Sequence, residues 1–115
     1  MKITELEPKL VWQCFDEITK VPRPTHHLDK MKAFLVDWAG RHGIAVKTDE
    51  VGNVVMTKPA TPGHENAPTV ILQGHQDMVA EKRGDKEHDF LNDPIVTRVE
   101  GDWVMADGTT LGADN

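Results

Sequence analysis

The chain has a single cysteine, Cys14, among its 115 residues. No internal disulfide can form, and a reducing, cytoplasmic setting fits that usage. No apolar stretch approaches the length needed to cross a bilayer. The opening Met1-Lys2-Ile3-Thr4-Glu5-Leu6-Glu7-Pro8 holds no apolar core of signal-peptide length. Positive charge is also in deficit. There are 13 lysines and arginines against 19 aspartates and glutamates, a net charge of −6, and the two signs are interspersed. That leaves no basic patch for a nucleic acid, and the acidity reads as an aid to solubility. Repeats and low-complexity tracts are missing. So are a Gly-x-Ser-x-Gly elbow, a Walker loop, a dinucleotide glycine fingerprint and a Cys-x-x-Cys pair, which argues against the chemistries those motifs serve.

What remains is ordinary for a globular domain: 38% hydrophobic and 28% charged residues. The length suits one modest domain, and no boundary falls inside it. Leu10, Val11, Cys14, Phe15, Ile18 and Val21 recur at helical spacing, with Pro8 suited to the first turn and Val21-Pro22-Arg23-Pro24 to end the helix. Cys14 lies on that stripe and is expected to be a small buried core residue, not a nucleophile. Thr25 is expected to cap a second helix that carries Leu28, Met31, Phe34, Leu35, Trp38 and Ala39 on one face. His42 and Gly43 suit its end. The segments 44–51 and 54–58 flank Gly52-Asn53 and read as two neighbouring strands. The segments 94–99 and 103–106 read as a hairpin around Glu100-Gly101-Asp102. The charged segment 81–89 reads as a solvated loop, and His26, His27 and His64 carry no clear chemistry.

The chemistry concentrates in Leu72-Gln73-Gly74-His75-Gln76-Asp77-Met78. The preceding Thr69-Val70-Ile71-Leu72 is short, apolar and β-branched, and is expected to form a buried parallel-type strand. His75 and Asp77 would then stand at the strand's carboxyl end, where open α/β sheets place ligands. A metal-binding histidine needs a partner that fixes its tautomer and ring orientation, and a carboxylate two residues on can supply it. Metal-assisted hydrolysis uses imidazole and carboxylate ligands with an open position for water. In a two-metal site a carboxylate bridges ions roughly 3.5–4 Å apart. Asp114, in a loop that Gly108 and Gly112 allow to turn sharply, is the candidate bridge. His88-Asp89 repeats the pairing, but no strand precedes it.

Three runs carry a resemblance: 72–79; His88-Asp89-Phe90 with Asp93-Pro94-Ile95; and Gly108-Thr109-Thr110-Leu111-Gly112-Ala113-Asp114-Asn115. Together with Gly52-Asn53-Val54 and Lys58-Pro59-Ala60-Thr61, they resemble the opening part of the bacterial aminoacyl-histidine dipeptidases, the Xaa-His or cytosol non-specific dipeptidases. The resemblance implies a cytoplasmic metallopeptidase whose metal-activated water hydrolyses dipeptides, Xaa-His above all. It implies an α/β fold, the three-layer α/β/α sandwich of zinc-dependent exopeptidases, of which residues 1–115 would be the N-terminal portion of the catalytic domain. His75 would ligate one metal, Asp77 would bond the imidazole of His75 and act as the catalytic aspartate, and Asp114 would bridge two ions. The implied cofactor is a pair of Zn2+ ions, with Mn2+ or Co2+ as alternatives. The implied partners are a dipeptide substrate and a second copy in a homodimer, with no nucleic acid and no membrane. Gln76 departs from the residue found before the aspartate in many relatives. The family's general-base glutamate, its other ligands and its lid domain would lie beyond Asn115, so this chain alone is expected to be inactive. A related aminopeptidase or deacylase of the same clan, or a non-catalytic folding or interaction unit, are the alternatives.

Overall fold

The computed structural model describes residues 1–114; Asn115, the last residue of the glycine-rich run, lies outside the described residues. Regular structure comprises two helices and two β-hairpins: α1 Lys9–Thr19, α2 Asp29–Arg41, β1 Ala45–Thr48, β2 Val54–Thr57, β3 Thr97–Glu100 and β4 Trp103–Ala106. A short 3-10 turn, Ile3–Glu5, precedes them and packs against α1 and β3.

Helix α1 begins directly after Pro8, which is the extended N-cap residue and not part of the first turn. The stripe is buried less than its periodicity suggests. Leu10 and Val11 are exposed, and Cys14, expected in the core, is half-buried. Helix α2 starts at Asp29 with Leu28 at the N-cap, three residues later than expected. The hydroxyl of Thr25 is engaged elsewhere and leaves this helix without a side-chain cap. Its far end matches the expectation. His42 is the C-cap, its Nδ1 lies 2.7 Å from the Trp38 carbonyl, and its ring stacks on Trp38 at 4.0 Å. Gly43 follows at φ +65°, the left-handed stop that glycine takes without a Cβ penalty.

Each hairpin is a separate two-stranded antiparallel sheet. In the first, Ala45 pairs Thr57 and Thr48 pairs Val54. The Asp49 carboxylate holds its turn, with Oδ1 accepting the backbone N–H groups of Val51 and Asn53 and Oδ2 accepting Asn53 Nδ2. Helix α2 lies on this hairpin, with Ala39 fully buried. In the second, Thr97 pairs Ala106 and Glu100 pairs Trp103. The Ile95 N–H donates to the Thr19 carbonyl at 2.9 Å and ties the second hairpin to the end of α1.

The segment 69–72 does not form the expected strand. Val70, Ile71 and Leu72 are 78%, 87% and 92% exposed. A parallel-type strand needs neighbours on its edges, and no other described segment bonds to this one through the backbone. The three-layer sandwich is likewise not formed by the described residues, because every strand pair present is a local hairpin. The buried apolar core is thin: Ile3, Met31, Ala39, Met78 and Ile95. The radius of gyration is 16.2 Å, against about 13 Å for a compact chain of about 100 residues. The surface is 8614 Å², where a compact monomer of this size would show roughly 6,300 Å².

Candidate functional site

The site forms where the chain just after α1 meets the motif 75–78. Pro24 and Met78 form a parallel bridge, and the Met78 N–H donates to the Arg23 carbonyl at 3.0 Å. Met78 itself is buried and anchors the crossing. Arg23 is buried too, and its guanidinium donates to the Gln76 carbonyl at 3.1 Å. The Gln76 amide donates in turn to the Gly52 carbonyl at 2.8 Å, tying the motif to the first hairpin.

His75 and Asp77 face each other within this frame. Nδ1 of His75 lies 2.7 Å from Oδ1 of Asp77, and Thr25 Oγ1 donates to Oδ2 of Asp77 at 2.7 Å. The Thr25 bond first, and then the His75 bond, hold the Asp77 carboxyl below its usual pKa. An ionised carboxylate only accepts, so the proton of a neutral His75 sits on Nδ1. The other ring nitrogen, Nε2, is then the one left for a ligand.

The loop that carries Asp114 is zipped to the segment just after the motif. Arg83 N–H donates to the Gly108 carbonyl at 2.8 Å, and Thr110 N–H to the Glu81 carbonyl at 2.9 Å. Thr110 Oγ1 also donates to the Val79 carbonyl at 2.5 Å, and Lys82 and Thr109 form an antiparallel bridge. Gly112, at φ +80°, lies so close to Met78 that a Cβ there would sit 2.8 Å from the methionine side chain. Asp114 is exposed at the end of this loop. Burial lowers the Arg23 pKa, while the charges of Asp77 and Asp114 raise it, so one guanidinium senses both carboxylates.

The charged segment is therefore not wholly the solvated loop that its composition suggests. Lys82 and Arg83 pair through the backbone, and Lys86 packs on Gly108 and bonds Asp107 at 3.1 Å. His88 stacks edge-on against Phe90, with ring centroids 4.6 Å apart. Asp89 turns its carboxylate to Leu91 N–H and Asn92 Nδ2 and so builds a local turn. Among the described residues, no three His, Cys, Asp or Glu side chains gather closely enough to hold a metal ion. Sequence reasoning missed Thr25 and Arg23 as members of the site. The only signal was their position in the polar Arg23-Pro24-Thr25 stretch, which reads equally well as a helix stop and a cap.

With this geometry in hand, the chain proves similar to part of a dipeptidase. It is 45% identical over 114 residues to the cytosol non-specific dipeptidase of Escherichia coli (strain K12), a match that takes in 99% of this chain and 24% of that protein. It superposes with a TM-score of 0.95 and 47% identity on the crystal structure of aminoacylhistidine dipeptidase from Vibrio alginolyticus, over 99% of this chain and 23% of that one. The chain thus spans about a quarter of the length of these relatives. No protein-family model matches it. Among the described residues, no helix is long and apolar enough to cross a membrane.

Proposed function

We propose that this chain supplies one part of the active site of a cytoplasmic, bacterial-type metal-dependent dipeptidase that hydrolyses Xaa-His dipeptides. The observation that carries the reading is the Thr25–Asp77–His75 relay, in which two hydrogen bonds of 2.7 Å converge on Asp77. Such an arrangement serves a metal-binding imidazole: the carboxylate fixes the tautomer and raises the basicity of the ring nitrogen opposite. The similarity to two proteins named as dipeptidases supports a dipeptide as the substrate class.

The donor set fits a metal in part. His75 Nε2 and the exposed Asp114 carboxylate are ligands of the types zinc accepts, whereas a catalytic zinc usually takes three protein ligands. His75 and Asp114 would therefore hold Zn2+, or Mn2+ or Co2+, together with groups from the remainder of a dipeptidase polypeptide. A bound pair of such ions would lower the pKa of a water and polarise the peptide carbonyl. Asp77 bonds His75 and orients its ring. Arg23 offsets the negative charge of Asp77 and Asp114, and Thr25 keeps Asp77 ionised and aimed. The complete enzyme would be a three-layer α/β/α sandwich with a lid domain, working as a homodimer.

The test is a chimera in which this chain replaces the matched quarter of the E. coli dipeptidase. It should hydrolyse a dipeptide ending in histidine. His75→Ala should abolish turnover, and Asp77→Asn should lower metal affinity or activity by about 10–100-fold, the usual effect of losing such a partner. A folded chimera that hydrolyses the dipeptide equally well without His75 would overturn the assignment.

A further inference from the structure

We propose that Lys86 is a positioning residue for Asp114: it clamps the start of the loop 107–114 and so holds the candidate bridging carboxylate in register with His75. The role given to Asp114 rests on the function proposed above; the clamp itself rests on its own contacts.

The loop runs antiparallel to the segment that follows the His75 motif. Lys82 and Thr109 form an antiparallel bridge, Arg83 N–H donates to the Gly108 carbonyl at 2.8 Å, and Thr110 N–H donates to the Glu81 carbonyl at 2.9 Å. Continued in that register, the two segments bring Asp114 opposite Asp77. Two observations agree with this. Gly112 lies against Met78, the residue after Asp77. Arg23 senses the charges of Asp77 and Asp114 together. Whatever fixes Gly108 against Arg83 therefore sets where Asp114 stands relative to the Asp77–His75 pair.

Lys86 does so in two ways. Its stem lies on Gly108, with Cβ, Cγ and Cδ only 3.2–3.3 Å from where a Cβ on that glycine would sit. Its ammonium lies 3.1 Å from Oδ2 of Asp107, the residue that joins β4 to the loop. Only 24% of the Lys86 side chain is exposed, so the stem is held along its length and not only at its tip. The backbone of Lys86 is fixed as well. Its N–H donates to the Arg83 carbonyl at 3.1 Å, and its carbonyl accepts Lys82 Nζ at 2.8 Å. Arg98 Nη1, 3.5 Å from the other oxygen of Asp107, ties the same carboxylate to β3. One carboxylate thus joins β3, the charged segment and the loop. The hydrogen bond from Lys86 first, and then its charge, hold the Asp107 carboxyl below its usual pKa.

The Lys86 ammonium is spent on Asp107, so its role is to position and not to react. Ion pairs as exposed as Asp107 with Arg98 add little to global stability. The consequence of the clamp is geometric, and a misplacement of about 1 Å at a reacting centre can cost about 100-fold.

Hydrogen exchange and zinc titration test the proposal. In the isolated chain, Lys86→Met keeps the stem and removes the charge. It should speed exchange at the Arg83 and Thr110 amides by about 3–30-fold, the coupling usually carried by such a chain of contacts. The amides of α1, α2 and the β1–β2 hairpin, and the urea midpoint, should stay as they are. In the E. coli chimera the same variant should weaken zinc binding, followed by calorimetry, over the same range of about 3–30-fold. Lys86→Arg should restore it. Lys86→Met added to Asp107→Asn should bring no further loss, since its partner is already gone. Unchanged exchange at Arg83 and Thr110 would overturn the proposal. So would faster exchange with unchanged zinc affinity, a fallen urea midpoint in Lys86→Met, or Lys86→Arg binding zinc as weakly as Lys86→Met. If the chimera fails to fold, zinc is titrated into the isolated chain, and an affinity that Lys86→Met leaves unchanged, or no binding at all, counts against the role. The expected zinc response without dipeptide hydrolysis would leave Lys86 in its role and remove the proposed activity.

Discussion

Gly112 shows how tightly the site's loop is built at the scale of single residues. Its φ of +80° disfavours any L side chain, and a Cβ would press on buried Met78 at 2.8 Å. Gly112→Ala should destabilise the chain by about 1–3 kcal/mol, the usual cost of a strained backbone position. A urea titration of both proteins measures it, and unchanged midpoints would refute the close packing of this loop on Met78. Thr25 gives a second prediction. Its hydroxyl is the largest cause of the lowered Asp77 pKa. Thr25→Val should move that pKa back up toward its ordinary value, while Thr25→Ser should leave it low, as read from the carboxylate carbon shift in an NMR titration. His75 and Asp77 were legible in the sequence because they are two residues apart and follow an apolar run. Thr25 and Arg23 were not, because their bonds to Asp77 and Gln76 span 52 and 53 residues and exist only once the chain has crossed itself.

At the scale of elements, the local hydrogen bonds that made the sequence readable also carry the pH response. Asp49 closes the β1–β2 turn with three side-chain bonds, and the Asn53 side-chain bond is the largest cause of its lowered pKa. A group with a folded pKa below its unfolded value stabilises the fold above the unfolded pKa. Here that value is 3.8, and the contribution fades as pH falls from there through the lower folded value. Exchange protection of the β1–β2 amides should therefore drop as pH falls below about 4, and in Asp49→Ala this part of the pH dependence should vanish. Both hairpins and both helices were legible because their periodicities and turn signals lie within about ten residues. The 69–72 segment was misread because its strand character depends on neighbours that no local pattern encodes. The start of α2 was misread for a related reason, since Thr25 bonds a distant carboxylate in preference to its own helix.

For the molecule as a whole, geometry predicts that the 115-residue chain alone, supplied with zinc or manganese, does not hydrolyse dipeptides. Metal-assisted hydrolysis needs a firmly held ion and a placed base. Among the described residues, no three candidate ligands converge, so His75 and Asp114 would retain a metal weakly and with loose geometry. A positioned base contributes about 10²–10⁴-fold to such reactions, and the nearby glutamates are poorly suited to that task. Glu81 is exposed, with its backbone paired to Thr110, and Glu87 is exposed in the charged segment. The open cleft beside His75 also admits bulk water, which weakens every electrostatic interaction within it. Nonetheless the Thr25–Asp77–His75 relay is already assembled, so weak metal binding should survive even where turnover does not. Calorimetry with zinc should therefore show weak binding that His75→Ala removes, alongside no detectable hydrolysis of a dipeptide ending in histidine. Metal-dependent turnover by the isolated chain, lost in His75→Ala, would mean that these residues suffice for catalysis and that the missing base lies among them.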